Sequence, residues 1–318
     1  MSRPCAVIYT LAAMLVLHGL AIGQAQQGEG SAASQDFVIK TTSRLVLLDV
    51  SVKDARGDLV SGLSQQSFQV YEDGKLQTIT QFANADIPVT VGIVVDQSGS
   101  MLPKRPDVVV AALAFIAASN PNDEVFVTNF NDKVRFGLPP DLPFSDNVPL
   151  LRSALWAGEP GGRTALYDGI ADSLVRLELG RRDKKTLVVV SDGGDNASRE
   201  SLAGLTRKVL ESRATIYTIG VFSADDPDKN PGVLMKLARM TGGEAYFPEQ
   251  LNDVVPICQK IAKDIRTRYT IGYIPAAGGR PRRNVRVIAT APQLGKLTVR
   301  TRTSYLFSPD HAAAAEGR

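Results

Sequence analysis

Val89-Thr90-Val91-Gly92-Ile93-Val94-Val95-Asp96-Gln97-Ser98-Gly99-Ser100 is the stretch on which the fold turns. Its first seven residues are near-continuously apolar. A strand with one face in water alternates apolar and polar residues. A strand covered on both faces has no such alternation, and that is the mark of a buried parallel strand. The run then breaks into Asp96, Ser98 and Ser100 around Gly99, which permits a tight turn. In an open α/β sheet, ligands bind beyond the carboxyl ends of the strands, near the point where strand order reverses. The segment therefore reads as a buried strand that delivers an oxygen-rich loop to such an end.

Downstream, the same rhythm repeats. An apolar helical run covers about 106–118, strands follow at 124–130 and 133–137, and helices at 147–156 and 164–179. Thr186 to Val190 is again a buried strand, with Leu-Val-Val-Val at its core. A helix over 199–212, a strand over 214–221, a helix over 232–240, a short strand over 245–247 and a last helix over 251–266 complete the series. Strands alternating with helices imply βαβ units and a mostly parallel sheet covered on both faces.

The flanks differ. Leu45 to Val52, Phe68 to Tyr71 and Ile79 to Phe82 read as strands, with a turn at Asp54 to Asp58 and a hairpin signal at Glu72-Asp73-Gly74-Lys75. After Arg268, strands recur at 269–274, 285–289 and 297–302, around a Pro/Gly region at 275–283. Neither flank holds enough strands to bury a core alone. The expected fold class is therefore α/β, a doubly wound mostly parallel sheet over 88–267, inserted between the strands of a small β-sandwich module formed by 37–87 and 268–307.

The ends read as processing segments. Met1 to Pro4 carries one Arg, Cys5 to Ile22 is apolar, and small residues follow at Gly23 and Ala25. This is the pattern of a signal peptide over 1–25. A Gly/Ser/Gln-rich leader follows at 26–36, and 308–318 reads as a disordered tail. The expectation is a secreted, periplasmic or envelope protein of a bacterium, without a membrane span after signal cleavage. Cys258 is then the lone cysteine of the mature chain and reads as a buried small hydrophobe in a helix.

Composition removes several chemistries. The two histidines are His18, in the signal, and His311, in the tail, so the body has neither a Ser-His-Asp or Cys-His constellation nor a His-ligated zinc site. Phosphate-loop and dinucleotide fingerprints are absent from the sequence. A net charge of +3 over 318 residues is too small for a dedicated nucleic-acid surface, so no nucleic-acid partner is expected.

What remains is a set of oxygens. Asp96, Ser98 and Ser100 follow one buried strand, Ser191-Asp192-Gly193-Gly194-Asp195-Asn196 follows another, and Gly161-Gly162-Arg163-Thr164 opens a helix. Carboxylates and hydroxyls without sulfur or imidazole suit a hard divalent cation. Thr164 can add a hydroxyl and Asp192 a second carboxylate, directly or through water. Each piece also has a plainer reading: Asp and Ser cap helices and make turns, and Thr164 alone can be an N-cap. Asp168 reads as a first-turn carboxylate, Asp195 and Asn196 as caps of the following helix, and Trp156 as core. Arg163 either attracts an acidic partner or is solvated.

The order Asp96-x-Ser98-x-Ser100, then Thr164, then Asp192-Gly193 resembles the von Willebrand factor type A (VWA) domain and its metal-ion-dependent adhesion site. The flanks, with Val50 to Asp54, Gly57, Phe68 to Gly74 and Tyr273-Ile274-Pro275, resemble a bacterial VWA-related family of secreted proteins. That resemblance implies a metal site of Asp96, Ser98, Ser100, Thr164 and Asp192 holding Mg²⁺ (Mn²⁺ or Ca²⁺ as alternatives). It also implies one short antiparallel edge strand, at 133–137, and a role in adhesion or scaffolding rather than catalysis. The partner expected is a protein with an exposed Asp or Glu. Two other functions are weighed against it. One is a structural envelope protein with a stabilising metal. The other is a metal-dependent hydrolase with Glu124 or Asp195 as base.

Overall fold

The computed structural model describes residues 45–222, 228–276 and 278–307. The expected signal peptide, the leader, the first residues of the β module and the tail lie outside them. Among the described residues fourteen strands and six α-helices follow in order. The first four strands are β1 (Val46–Lys53), β2 (Phe68–Glu72), β3 (Lys75–Gln77) and β4 (Ile79–Ala83). The α/β part runs β5 (Val89–Asp96), α1 (Arg105–Ala118), β6 (Glu124–Phe130), β7 (Val134–Phe136), α2 (Val148–Trp156), α3 (Leu166–Leu177) and β8 (Lys184–Ser191). It continues with α4 (Leu202–Glu211), β9 (Thr215–Gly220), α5 (Pro231–Thr241), β10 (Ala245–Tyr246) and α6 (Val254–Thr267). The chain ends in β11 (Tyr269–Tyr273), β12 (Arg282–Ala289), β13 (Thr298–Arg300) and β14 (Ser304–Leu306).

The central sheet has the order β10-β9-β8-β5-β6-β7. Its strands are parallel except β7, which is antiparallel to β6. Every residue of β5, β6, β8 and β9 is buried, which accounts for the near-continuous apolar runs Val89 to Val95 and Leu187 to Val190. Gly92, mid-strand in β5, leaves room for Phe126 of β6: a Cβ there would lie 2.4 Å from the Phe126 ring. From β5 the chain builds outward to β6 and β7, then returns to the other side of β5 for β8, β9 and β10. Strand order therefore reverses between β5 and β8, and a crevice opens beyond their carboxyl ends.

Two further sheets hold four strands each, in the orders β13-β1-β11-β4 and β14-β12-β2-β3. Each mixes strands from before and after the α/β part, and their pairs are antiparallel. Both sheets feed one core, with Leu48, Val50, Phe68, Val70, Tyr269, Ile271, Val285 and Val287 among its buried residues. The sandwich with an inserted α/β unit is thus the observed architecture. β3 and β14, three residues each, are not among the strands read in the sequence.

A buried polar cluster joins α6 to the sandwich. Asp264 of α6, 1% exposed, accepts from Ser51 Oγ (2.6 Å), Tyr217 OH (2.6 Å) and Arg300 Nη2 (2.8 Å). Arg268, 3% exposed, lies 3.4 Å from the same carboxylate and donates to Tyr217 OH and to the Gly242 carbonyl. Glu244 beside it pairs with Lys53 at 2.8 Å and with Arg300. Burial alone would raise the Asp264 carboxyl, but the charges of Arg268 and Arg300 and the donors around it hold it below the usual range.

Candidate metal centre

The reversal point holds the candidate residues. Asp96 is the last residue of β5 and Ser191 the last of β8. Val95 pairs with Val190, so these two strand ends lie side by side. Asp96 is 2% exposed. One of its oxygens accepts from the Ser98 backbone N–H at 2.9 Å and the other from Ser191 Oγ at 2.7 Å. Burial, and secondarily the neighbouring charge of Asp192, pushes the Asp96 carboxyl up to about 6, against the hydrogen bonds from Ser98 and Ser191.

Above Asp96 the hydroxyls converge. Ser98 Oγ and Ser100 Oγ are 3.2 Å apart, and Ser100 Oγ donates to Asp192 Oδ2 at 2.5 Å. Gly99 N donates to the Gly162 carbonyl, and Gly161 N to the Gln97 carbonyl, which ties the second loop to the first. Thr164 is held from both backbone sides: its N–H donates to Asn196 Oδ1 and its carbonyl accepts from the N–H groups of Asn196 and Ala197. A cavity of about 240 Å³ is lined by Ser98, Ser100, Thr164 and Asp192, with Arg163, Asn196 and Asp228 beside them. Four of the five expected residues meet there. The fifth, Asp96, is not among the lining residues; it lies beneath and fixes Ser98 and Ser191.

The donor set suits a hard cation. An octahedral shell with metal–oxygen distances of about 2.1 Å has ligand-to-ligand edges of about 2.9 Å. The serine and aspartate oxygens, spaced at 2.5 and 3.2 Å, bracket that edge. Among the described residues no group of three or more His, Cys, Asp or Glu could hold a metal ion, so the candidate set depends on its hydroxyls.

Several expectations change. Thr164 is not an N-cap: α3 begins two residues later, after Ala165. Asp195 and Asn196 do not cap the following helix, since Ser201 caps α4. Asp195 instead accepts from Tyr167 N at the start of α3 and from Ser198 Oγ. In return, Asp168 of α3 accepts from the backbone of Arg199 and Glu200. The two segments thus brace each other. Arg163 is solvated, with its side chain 67% exposed, and pairs with Asp132 at 2.9 Å. Trp156 is 44% exposed, with the Arg105 guanidinium 4.8 Å from its ring centre. Gly99 does not take a left-handed conformation. Gly193 does, at φ +82, and a Cβ there would lie 2.4 Å from the Asn230 carbonyl. Cys258 is buried and unpaired, as expected, and burial pushes its thiol up to about 12.

Two contributors have no assigned role in the sequence reading. Ser191 reads only as the first residue of the loop after the strand, and the β5–β8 register alone shows that its hydroxyl serves Asp96. The second is the segment before α5, where Asn230 N donates to the Asp192 carbonyl and Asp228 lines the cavity. The candidate bases for hydrolysis are elsewhere. Glu124 starts β6, at the amino end of the sheet, about 20 Å of strand from the Phe130 end. It is held by Thr90 and Arg181. Asp195 is engaged as described above.

Residues 91–194 match the von Willebrand factor type A domain. The VWA match thus begins inside β5 and takes in Asp96, Ser98, Ser100, Thr164 and Asp192. No curated protein matches the chain. Among solved structures, a von Willebrand factor type A protein from Catenulispora acidiphila is similar at 13% identity, over 85% of this chain and 76% of that one, with a TM-score of 0.49. An aerotolerance-related membrane protein from Bacteroides fragilis is similar at 15% identity, over 56% of this chain and 98% of that one, at 0.46. Proximal thread matrix protein 1 from the mussel byssus, with a zinc-occupied MIDAS motif, is similar at 14% identity, over 56% and 48%, at 0.46. Among the described residues no helix is long and apolar enough to cross a membrane.

Proposed function

We propose that this chain is an extracytoplasmic metal-dependent protein-binding module, in adhesion or scaffolding. Ser98, Ser100, Thr164 and Asp192 hold a divalent cation, Mg²⁺ first, over the buried Asp96. The observation that carries the reading is the meeting of oxygens from three separate loops in one small cavity at the strand-order reversal. When bound, the cation supplies an electrophilic centre for an oxygen ligand, here an exposed Asp or Glu of a protein partner. The protein's own part is positioning. Asp96 fixes the Ser98 backbone and the Ser191 hydroxyl, Asn196 fixes Thr164, and the Ser100–Asp192 contact sets the spacing of the donors.

The test is calorimetric titration of Mg²⁺ and Mn²⁺ into the purified protein, with Asp96→Ala and Ser100→Ala alongside. Saturable binding that each substitution abolishes supports the site. Unchanged affinity in both variants overturns it. An affinity capture from envelope extract, in Mg²⁺ against chelator, then tests the partner role: a partner retained only with the cation supports it, and retention indifferent to chelation sinks it.

A further inference from the structure

The fourth loop at the cavity carries a charge that the von Willebrand match does not reach, since that match ends at Gly194. Residues 228–230 lie against the loop after β8. Asn230 N donates to the Asp192 carbonyl at 3.0 Å, and the Asp228 carbonyl would stand 3.0 Å from a Cβ on Gly194. Asn230 also caps α5, accepting from Val233 N, so the segment is anchored to a helix. Asn196 is a two-sided bracket. Its Oδ1 accepts from Thr164 N at 2.9 Å and its Nδ2 donates to Asp228 Oδ2 at 2.9 Å. One side chain thus places a hydroxyl-bearing residue and a carboxylate on the same small cavity.

We propose that Asp228 is a cation-affinity residue of this centre, adding a second carboxylate to the one that Asp192 presents to the cavity. The inference rests on the reading of the cavity as a cation site. Its mechanism is Coulombic: a unit negative charge several ångströms from a divalent ion, in a half-open cavity, strengthens binding by about tenfold at low salt. The effect is screened as ionic strength rises, because the Debye length falls from about 10 Å at 0.1 M to about 3 Å at 1 M.

The experiment is titration of Mn²⁺ into the full chain at 20 mM and at 1 M salt, comparing wild type, Asp228→Asn, Asp228→Glu and Asp192→Asn. Asparagine at 228 can still accept from Asn196, so shape is kept and charge removed. The expected result is an affinity loss of about tenfold in Asp228→Asn at low salt, shrinking to under about threefold at 1 M. Asp228→Glu restores most of it, and melting temperatures in chelator stay equal. Affinity within twofold of wild type in Asp228→Asn, with binding lost in Asp192→Asn, overturns the role of Asp228 and leaves the site standing. Unchanged affinity in Asp192→Asn as well overturns the site, and this role with it.

Discussion

Ser191 Oγ donates to Asp96 Oδ2 at 2.7 Å, across the strand-order reversal, with both residues buried. The same Ser191 oxygen accepts from Gly193 N at 3.0 Å. One hydroxyl therefore couples the end of β5 to the turn that carries Asp192. Ser191→Ala leaves a buried carboxylate oxygen and a backbone N–H without that partner, at a cost of about 1–3 kcal/mol. Urea denaturation should show that loss, and cation titration a weaker affinity. A variant as stable as wild type would mean the contact contributes nothing.

Gly193→Ala tests the turn itself. At φ +82 an added Cβ is strained, and it would meet the Asn230 carbonyl at 2.4 Å. The expected loss is about 1–3 kcal/mol. Because the clash pushes on the segment that carries Asp228, cation affinity should fall too. Affinity and stability both equal to wild type would count against the packed loop.

The buried junction predicts a pH dependence. The folded-state Asp264 carboxyl is depressed, so its contribution is present above the unfolded value of about 3.9 and is lost as pH falls through the folded value. Removing the carboxylate strands buried Arg268, and Asp264→Ala should cost about 3–5 kcal/mol at pH 7. Between pH 7 and 5 that gap should hold. Below about pH 4 it should narrow. A gap already closed at pH 6, by chemical denaturation, would refute the assignment.

The sole tryptophan gives an optical check. Trp156 is 44% exposed and stacked with Arg105. Native emission should be shifted toward that of solvated indole and be quenched readily by acrylamide. Trp156→Ala should cost under about 1.5 kcal/mol, far from the 3–5 of a core aromatic. Blue-shifted, unquenched emission would place this side chain inside.

Much of this architecture was readable from residues 45–307. β5 and β8 announced themselves because burial on both faces removes alternation, and the two flanks announced each other because neither could bury a core. The hydroxyl and carboxylate positions were readable because Asp96, Ser98 and Ser100 interrupt such a strand. What escaped depends on register and chain crossing. The service of Ser191 to Asp96 exists only because β5 and β8 lie side by side. Asp228 sits in a polar stretch before Pro231 that looks like an ordinary solvated turn. Trp156 failed for another reason: size and apolarity argue for burial, but an indole can lie under a guanidinium at the surface.

The sandwich strands also impose an order of events. Ala83 pairs with Thr270, and β1 lies beside β11, so β1 and β4 find their neighbours only after the whole inserted unit has been synthesised. Closing so long a loop is costly unless something brings its ends together, and the folded insert does so by leaving and re-entering on adjacent strands. Until then β1 and β4 are unpaired and β2 has only its hairpin partner β3, and a ribosome stalled within the α/β region would leave these edges exposed to neighbouring chains. The sandwich can close only after both flanks exist, so its closure is expected to report that the α/β unit has already folded.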